Sequence, residues 1–169
     1  LVVDADLRWF FIIALAERAA FSKEELDAEL AQDNTTSGNC FYETALASVP
    51  SADAKDYAWN KIVNEEIMNS VRTALIVGFQ RPIQRDLLAN YVDRYFDSII
   101  SVWESKSYEG AAKIVSGLYP TWVLSQATID KTDTWLDSTG KEAPAVLRKL
   151  VVDARDGLVR ALKVQGAVN

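Results

Sequence analysis

The segment LANYVDRYFDSIISVW, residues 88–103, carries the clearest structural signal in this chain. Its apolar side chains recur at intervals of three and four residues, which is the spacing of one face of an α-helix. This spacing predicts a helix that buries the stripe, with Asn90 as a point where the helix breaks in two. The members of the stripe are Leu88, Tyr91, Val92, Tyr95, Phe96, Ile99 and Trp103.

The same helical period runs through nearly all of the remaining sequence, and no segment alternates apolar and polar residues as a half-buried strand does. Pro50 and Pro120 mark turns, Ser22 with Glu25 forms a capping-box pattern, and Pro82 suits the first turn of a helix. These signals divide the chain into about nine or ten short helices. The sequence therefore predicts an all-α fold, an irregular HEAT-like array of antiparallel helices that forms an α-α superhelix.

The first helical segment differs from the others because apolar residues cover most of its surface. A helix that is apolar all round is either central in a fold or covered by another domain, so we expect a partner for this segment. Tryptophan is enriched in interfaces, and we expect some of Trp59, Trp122 and Trp135 to lie in one. The first stripe holds Leu7, Phe10, Phe11, Ala14 and Leu15, and the other side holds Trp9, Ile12 and Ile13.

The composition excludes several kinds of catalytic centre from this chain. It has no histidine and a single cysteine, Cys40, whereas zinc hydrolase sites, serine triads and cysteine–histidine pairs all use imidazole. Adjacent carboxylates such as Glu65 and Glu66 point about 100° apart on a helix, so we interpret them as solvated side chains. We therefore assign no catalytic, cofactor-binding or metal-binding residue to the chain.

The net charge, the single cysteine and the chain length indicate which partners, which compartment and how many domains to expect. The net charge is -6, and nucleic acids and anionic membrane surfaces attract basic proteins, so neither is an expected partner. A lone cysteine favours a reducing compartment, and we expect the cytoplasm. The 169 residues suffice for one core. We expect a single helical domain over residues 1–169, and the start at Leu1 suggests a fragment of a larger enzyme.

One stretch resembles a known family. ALIVGFQRPIQRDLL at residues 74–88, followed by YVDRYF at 91–96, is similar to the C-terminal helical domain of bacterial aminopeptidase N. LRW at 7–9, DAELAQD at 27–33 and LRKL at 147–150 extend the resemblance in order along the chain. These are packing motifs, and their specificity lies in their number and order.

The resemblance implies a larger zinc metallopeptidase that removes amino-terminal residues from peptides. Its catalytic domain would carry His-Glu-x-x-His and a Gly-x-Met-Glu-Asn segment, and neither motif occurs in this chain. The present domain would wall the active-site chamber and limit the access of peptides. Its partners would be the catalytic and other domains of the same polypeptide, with zinc held outside this fragment.

Arg81, Gln84 and Arg85 are candidates for chamber-facing or interdomain contacts, because Arg81 and Arg85 share a helix face at a spacing of four residues. The alternative function is a stand-alone helical-repeat module that binds another protein through its tryptophan-bearing surface.

Overall fold

The computed structural model describes the backbone of residues 4–168 and the side chains of residues 4–166. These residues form ten α-helices and two short 3₁₀ helices, with no strand in the described part of the chain. The prediction of an all-α array of nine or ten helices is confirmed.

The helices belong to two compact units, one ending at Leu87 and the other beginning at Leu88. The helix α6 (Arg85–Leu88) spans this boundary. The prediction of a single domain stays a prediction. The first unit contains α1 (Ala5–Ala16), α2 (Lys23–Gln32), α3 (Thr36–Ser48), α4 (Ala52–Asn64), α5 (Asn69–Phe79) and the 3₁₀ helix Pro82–Gln84. The second unit contains α7 (Tyr91–Ser105), α8 (Tyr108–Gly117), α9 (Gln126–Asp137), the 3₁₀ helix Thr139–Glu142 and α10 (Ala145–Val168).

Short polar side chains begin many of these helices. Ser22 accepts a hydrogen bond from the Glu25 amide while the Glu25 carboxylate accepts one from the Ser22 amide, so the predicted capping box is present. Ser51 caps α4, as predicted, by accepting from the amide of Ala54. These bonds satisfy amide groups that the first turn of a helix leaves without a partner.

The closest helix packing in the first unit is between α3 and α5, at Gly78. A Cβ atom at Gly78 would lie 2.3 Å from the carbonyl oxygen of Thr44 and 2.7 Å from the Cβ of Ala47. The Thr44 hydroxyl donates across the same contact to the carbonyl of Ala74, at 3.1 Å. Glycine is required here because the two backbones approach more closely than a side chain allows.

The predicted apolar stripe of residues 88–103 forms much of the core of the second unit. Tyr95 is 1% exposed and donates to the carbonyl of Val115 at 2.8 Å. Its ring meets Phe96 and Tyr119 edge to face, with centroids 5.0 and 5.7 Å apart. The stripe departs from the prediction at its end, where Val102 is buried and Trp103 is only half-buried.

We expected some of Trp59, Trp122 and Trp135 to lie in an interface, and this expectation was wrong, because all three are buried. All three are at most 9% exposed in this chain. Trp59 packs on Phe79 with ring centroids 5.9 Å apart, and Trp135 lies under Gly140, where a Cβ would come within 2.3 Å of its ring. These tryptophans are therefore core residues, and at Trp135 the absence of a side chain on Gly140 makes room for the ring.

Replacing Gly78 with alanine is expected to destabilise the first unit by about 1 to 3 kcal/mol, because the added methyl group overpacks the α3–α5 contact. Gly157→Ala is the matched control, since the nearest atom there is 4.0 Å away in a flexible arginine side chain. It should leave stability unchanged or raise it by up to about 1 kcal/mol, through helix propensity. Urea unfolding of both variants measures the difference, and equal stabilities would contradict the close contact.

Truncating Tyr95 to alanine is expected to cost about 3 to 5 kcal/mol, as for other large aromatic residues in a core. Tyr95→Phe keeps the ring and loses only the bond to Val115, so its cost should be nearer 1 kcal/mol. Thermal unfolding of the two variants separates the packing of the ring from the hydrogen bond. A neutral shift for Tyr95→Ala would contradict its place in the core.

Candidate functional site

The most unusual surface of the first unit is the outer face of α1. Trp9, Ile12 and Ala16 of this helix are buried, whereas Phe10 is 66% exposed and Phe11 is 53% exposed. The exposed apolar residues span about 140° of the helix surface at 100° per residue. We call this the α1 face, and its members are Leu7, Phe10, Phe11, Ala14 and Leu15.

Several other helices of the chain present charged side chains to solvent. The exposed positions of α7 include Asp93, Asp97 and Glu104, which is the usual arrangement for a helix with one apolar stripe. The α1 face contains no charged residue. A contiguous apolar patch of this kind is typical of a surface that another element covers.

A groove of about 370 Å³ runs beside the α1 face, between α1, α3 and α5. Phe10 and Ile13 of α1 lie on one side of the groove, and Val77 of α5, which is 52% exposed, lies on the other. Glu17 and Arg81 supply the charged groups of its lining. The groove thus combines apolar walls with a limited number of charges and offers contact surface rather than a reactive group.

The structure places the three sequence-predicted residues in different environments. Gln84 is 5% exposed and donates from Nε2 to the carbonyls of Ser48 at 2.7 Å and Glu17 at 3.1 Å. Arg81 is half-buried and donates from Nε to the Ser48 hydroxyl at 2.9 Å. Arg85 is exposed. Gln84 and Arg81 therefore both bind the carboxyl end of α3, and a chamber-facing role stays a prediction for all three.

Lys55 is a buried residue that sequence reasoning missed. Its side chain is fully buried and donates from Nζ to the carbonyls of Ala47 at 2.6 Å and Gly78 at 3.4 Å. It therefore caps the carboxyl ends of α3 and α5, where helix dipoles place partial negative charge. The available signal was its position, because Lys55 shares a helix face with Ala58, Trp59 and the buried residues after them.

Burial dominates the protonation of Lys55. Burial, together with a smaller repulsion from the positive charge of Arg81, lowers the pKa of Lys55 to about 7. The negative charge of Glu17 acts in the opposite direction and only partly offsets this decrease. A neutral amine retains N–H groups that donate to both carbonyls. The residue is consequently a structural cap in either protonation state.

A second polar cluster, in which Glu43 is buried and its partners are partly exposed, joins α3 to α4. Glu43, which is 4% exposed, accepts from Lys61 at 2.6 Å and from the hydroxyl of Tyr57 at 2.8 Å. Burial raises the pKa of Tyr57 to about 12. Both oxygens of the carboxylate are thus bound by neighbouring side chains, and the cluster stabilises the α3–α4 contact.

The described residues also bear on metal and membrane binding. Over this part of the chain, no group of three or more cysteine, aspartate or glutamate side chains comes together in a way that holds a metal ion. Nor does any helix that the structure describes have both the length and the apolar character of a membrane span.

Comparisons with known proteins identify relatives for nearly the whole chain. A family model described as the ERAP1-like C-terminal domain matches residues 1–160. An aminopeptidase N from Streptomyces lividans is 44% identical over 168 residues, which is 99% of this chain and 19% of that protein. The chain thus spans about a fifth of the length of this relative. The resemblance drawn from the packing motifs is confirmed.

The depressed pKa of Lys55 predicts a particular pH dependence of stability. Between pH 7 and the usual lysine value of 10.5, the unfolded chain binds more protons than the folded one, so the free energy of unfolding rises with pH. The expected gain is about 2 kcal/mol from pH 7 to pH 9. Lys55→Met should lack this increment, because the methionine side chain does not titrate.

Urea unfolding of the wild-type chain and of Lys55→Met at pH 7 and pH 9 gives the change in the free energy of unfolding with pH for each protein. The difference between these two changes is the contribution of Lys55. All other titrating groups are common to the two proteins and cancel. Parallel pH dependences would contradict a lysine that is neutral in the folded state above pH 7.

Proposed function

This chain belongs to the ERAP1-like C-terminal domain family, and we propose that it serves as a non-catalytic wall of the active-site chamber in an aminopeptidase N. In this role it limits access of peptides to a catalytic centre carried elsewhere in the polypeptide. The observation that supports the proposal most is the 44% identity to an aminopeptidase N along 99% of the chain.

The chemistry of the described residues agrees with a positional role. Buried polar side chains of the first unit make structural bonds: Lys55 and Gln84 donate to carbonyl groups at helix ends, and Glu43 binds Lys61 and Tyr57. A helical array supplies an extended wall, and the net charge of -6 gives that wall a field that attracts cationic amino termini. The zinc, the general base and the groups that bind the substrate amino terminus would belong to the remainder of the enzyme.

We further propose that the enzyme acts in the cytoplasm on unfolded peptides and that this domain contacts the other domains of its own polypeptide. Cys40 is a free, half-buried thiol, which suits a reducing compartment. The α1 face provides apolar surface for such contacts. The alternative, a stand-alone protein-interaction module, was expected to bind through a tryptophan-bearing surface, but Trp59, Trp122 and Trp135 are buried. Such a module would have to use the α1 face instead. The two functions then differ in whether the partner belongs to the same polypeptide.

The test compares the complete aminopeptidase polypeptide with a variant that lacks these 169 residues. Three substrates are used: an aminoacyl amide, a folded protein with an apolar amino terminus, and the same protein unfolded. We expect turnover of the small amide to change by less than about threefold, because the catalytic groups are retained. The preference for unfolded over folded protein should fall by about tenfold or more once the wall is absent.

Zinc content of both proteins controls for damage to the catalytic domain. An unchanged preference at equal zinc content would contradict the gating role. Hydrolysis of the aminoacyl amide by the isolated 169-residue chain supplied with zinc would contradict its assignment as a non-catalytic domain.

A further inference from the structure

We propose that the α1 face and the groove beside it form the seat of a single amphipathic helix supplied by the rest of the aminopeptidase polypeptide. This inference rests on the proposed function, because it takes the chain to be one domain of that polypeptide. It adds the location of the contact and the chemistry of the partner.

The spacing of the α1 face selects a helix as the occupant. Leu7, Phe11 and Ala14 follow one another at intervals of four and three residues, and Phe10 lies beside them. Rows with this spacing form the ridges and grooves into which a second helix packs. An extended strand repeats every two residues and leaves alternate side chains facing away from such a row.

The adjoining groove specifies the contact further. Phe10 and Val77 lie on opposite sides of the groove and are 66% and 52% exposed. A partner side chain inserted between them would remove apolar surface of both residues from water. Glu17 and Arg81 are the charged groups of the lining. The partner helix therefore carries an apolar stripe with a polar or charged residue opposite this pair, whose charges would otherwise be desolvated without compensation.

The same polypeptide is favoured over a second copy of the chain. The chain aligns over 99% of its own length with only 19% of an aminopeptidase N, so about four fifths of that relative is available to supply the helix. A helix within the same polypeptide docks at a high effective concentration.

Thiol labelling tests the proposal without reference to substrate. In a Cys40→Ser background, Phe10→Cys reports on the α1 face, and Met68→Cys is the matched control because Met68 is 63% exposed. In the isolated chain both thiols should react with a maleimide at similar rates. In the complete polypeptide the Phe10→Cys thiol should react about tenfold or more slowly, with a change of less than about threefold at Met68→Cys.

Phe11→Cys, at a residue that is 53% exposed on the same face, gives a second reporter and should be protected together with Phe10→Cys. Equal labelling of Phe10→Cys in the isolated chain and the complete polypeptide would overturn the proposal, as would equal slowing at Met68→Cys. Protection that appears in the isolated chain as its concentration rises, together with a dimeric mass, would assign the seat to a second copy and also overturn it.

The labelling result and the selectivity result are independent. Protection of Phe10→Cys combined with an unchanged preference for unfolded protein would support the seat and contradict the gating role. A lost preference on deletion combined with free labelling at Phe10→Cys would support the gating role and contradict the seat.

Discussion

The close contact of α3 with α5 at Gly78 is the constraint on which the first unit depends. It brings the carboxyl ends of the two helices together, and their unpaired carbonyl groups need donors because this region is buried. Lys55 supplies a donor to Ala47 and Gly78, and Gln84 ties Ser48 to the end of α1 at Glu17. Three helix ends are thereby held by two polar side chains, which fixes the position of α1.

Fixing α1 has a consequence for function. The helix buries Trp9 and Ile12 against its own unit and holds the α1 face outward beside a preformed groove. A seat held rigidly by its own core loses little conformational entropy when a partner docks. The buried polar groups of this unit serve its architecture, and the outward apolar groups would serve the attachment that we propose. This division of roles fits a domain whose contribution to an enzyme is position rather than chemistry.

Much of the fold follows from local patterns. Helical period, the Ser22 capping box and the break at Asn90 are determined by residues within a few positions of one another, and all three are confirmed by the structure. Which side of α1 is buried could not be predicted from the sequence, because both sides of this helix are apolar. The packing of α1 against the rest of its unit determines that Trp9 and Ile12 are buried. Lys55 and Gln84 have surface-type side chains, yet the acceptors of Gln84 lie 36 and 67 residues away. No local pattern contains that information, so the structural role of Gln84 required the fold, whereas the position of Lys55 on the buried face of α4 was a local signal.

The most direct test of the central claim, that this chain is one domain of an aminopeptidase, is the intact mass of the native polypeptide that carries it. Antibodies raised against the 169 residues would identify the band in source cells, and peptide sequencing would establish its content. We predict a polypeptide several times heavier than 18.8 kDa that also contains His-Glu-x-x-His. A native chain of 18.8 kDa without that motif would contradict the claim.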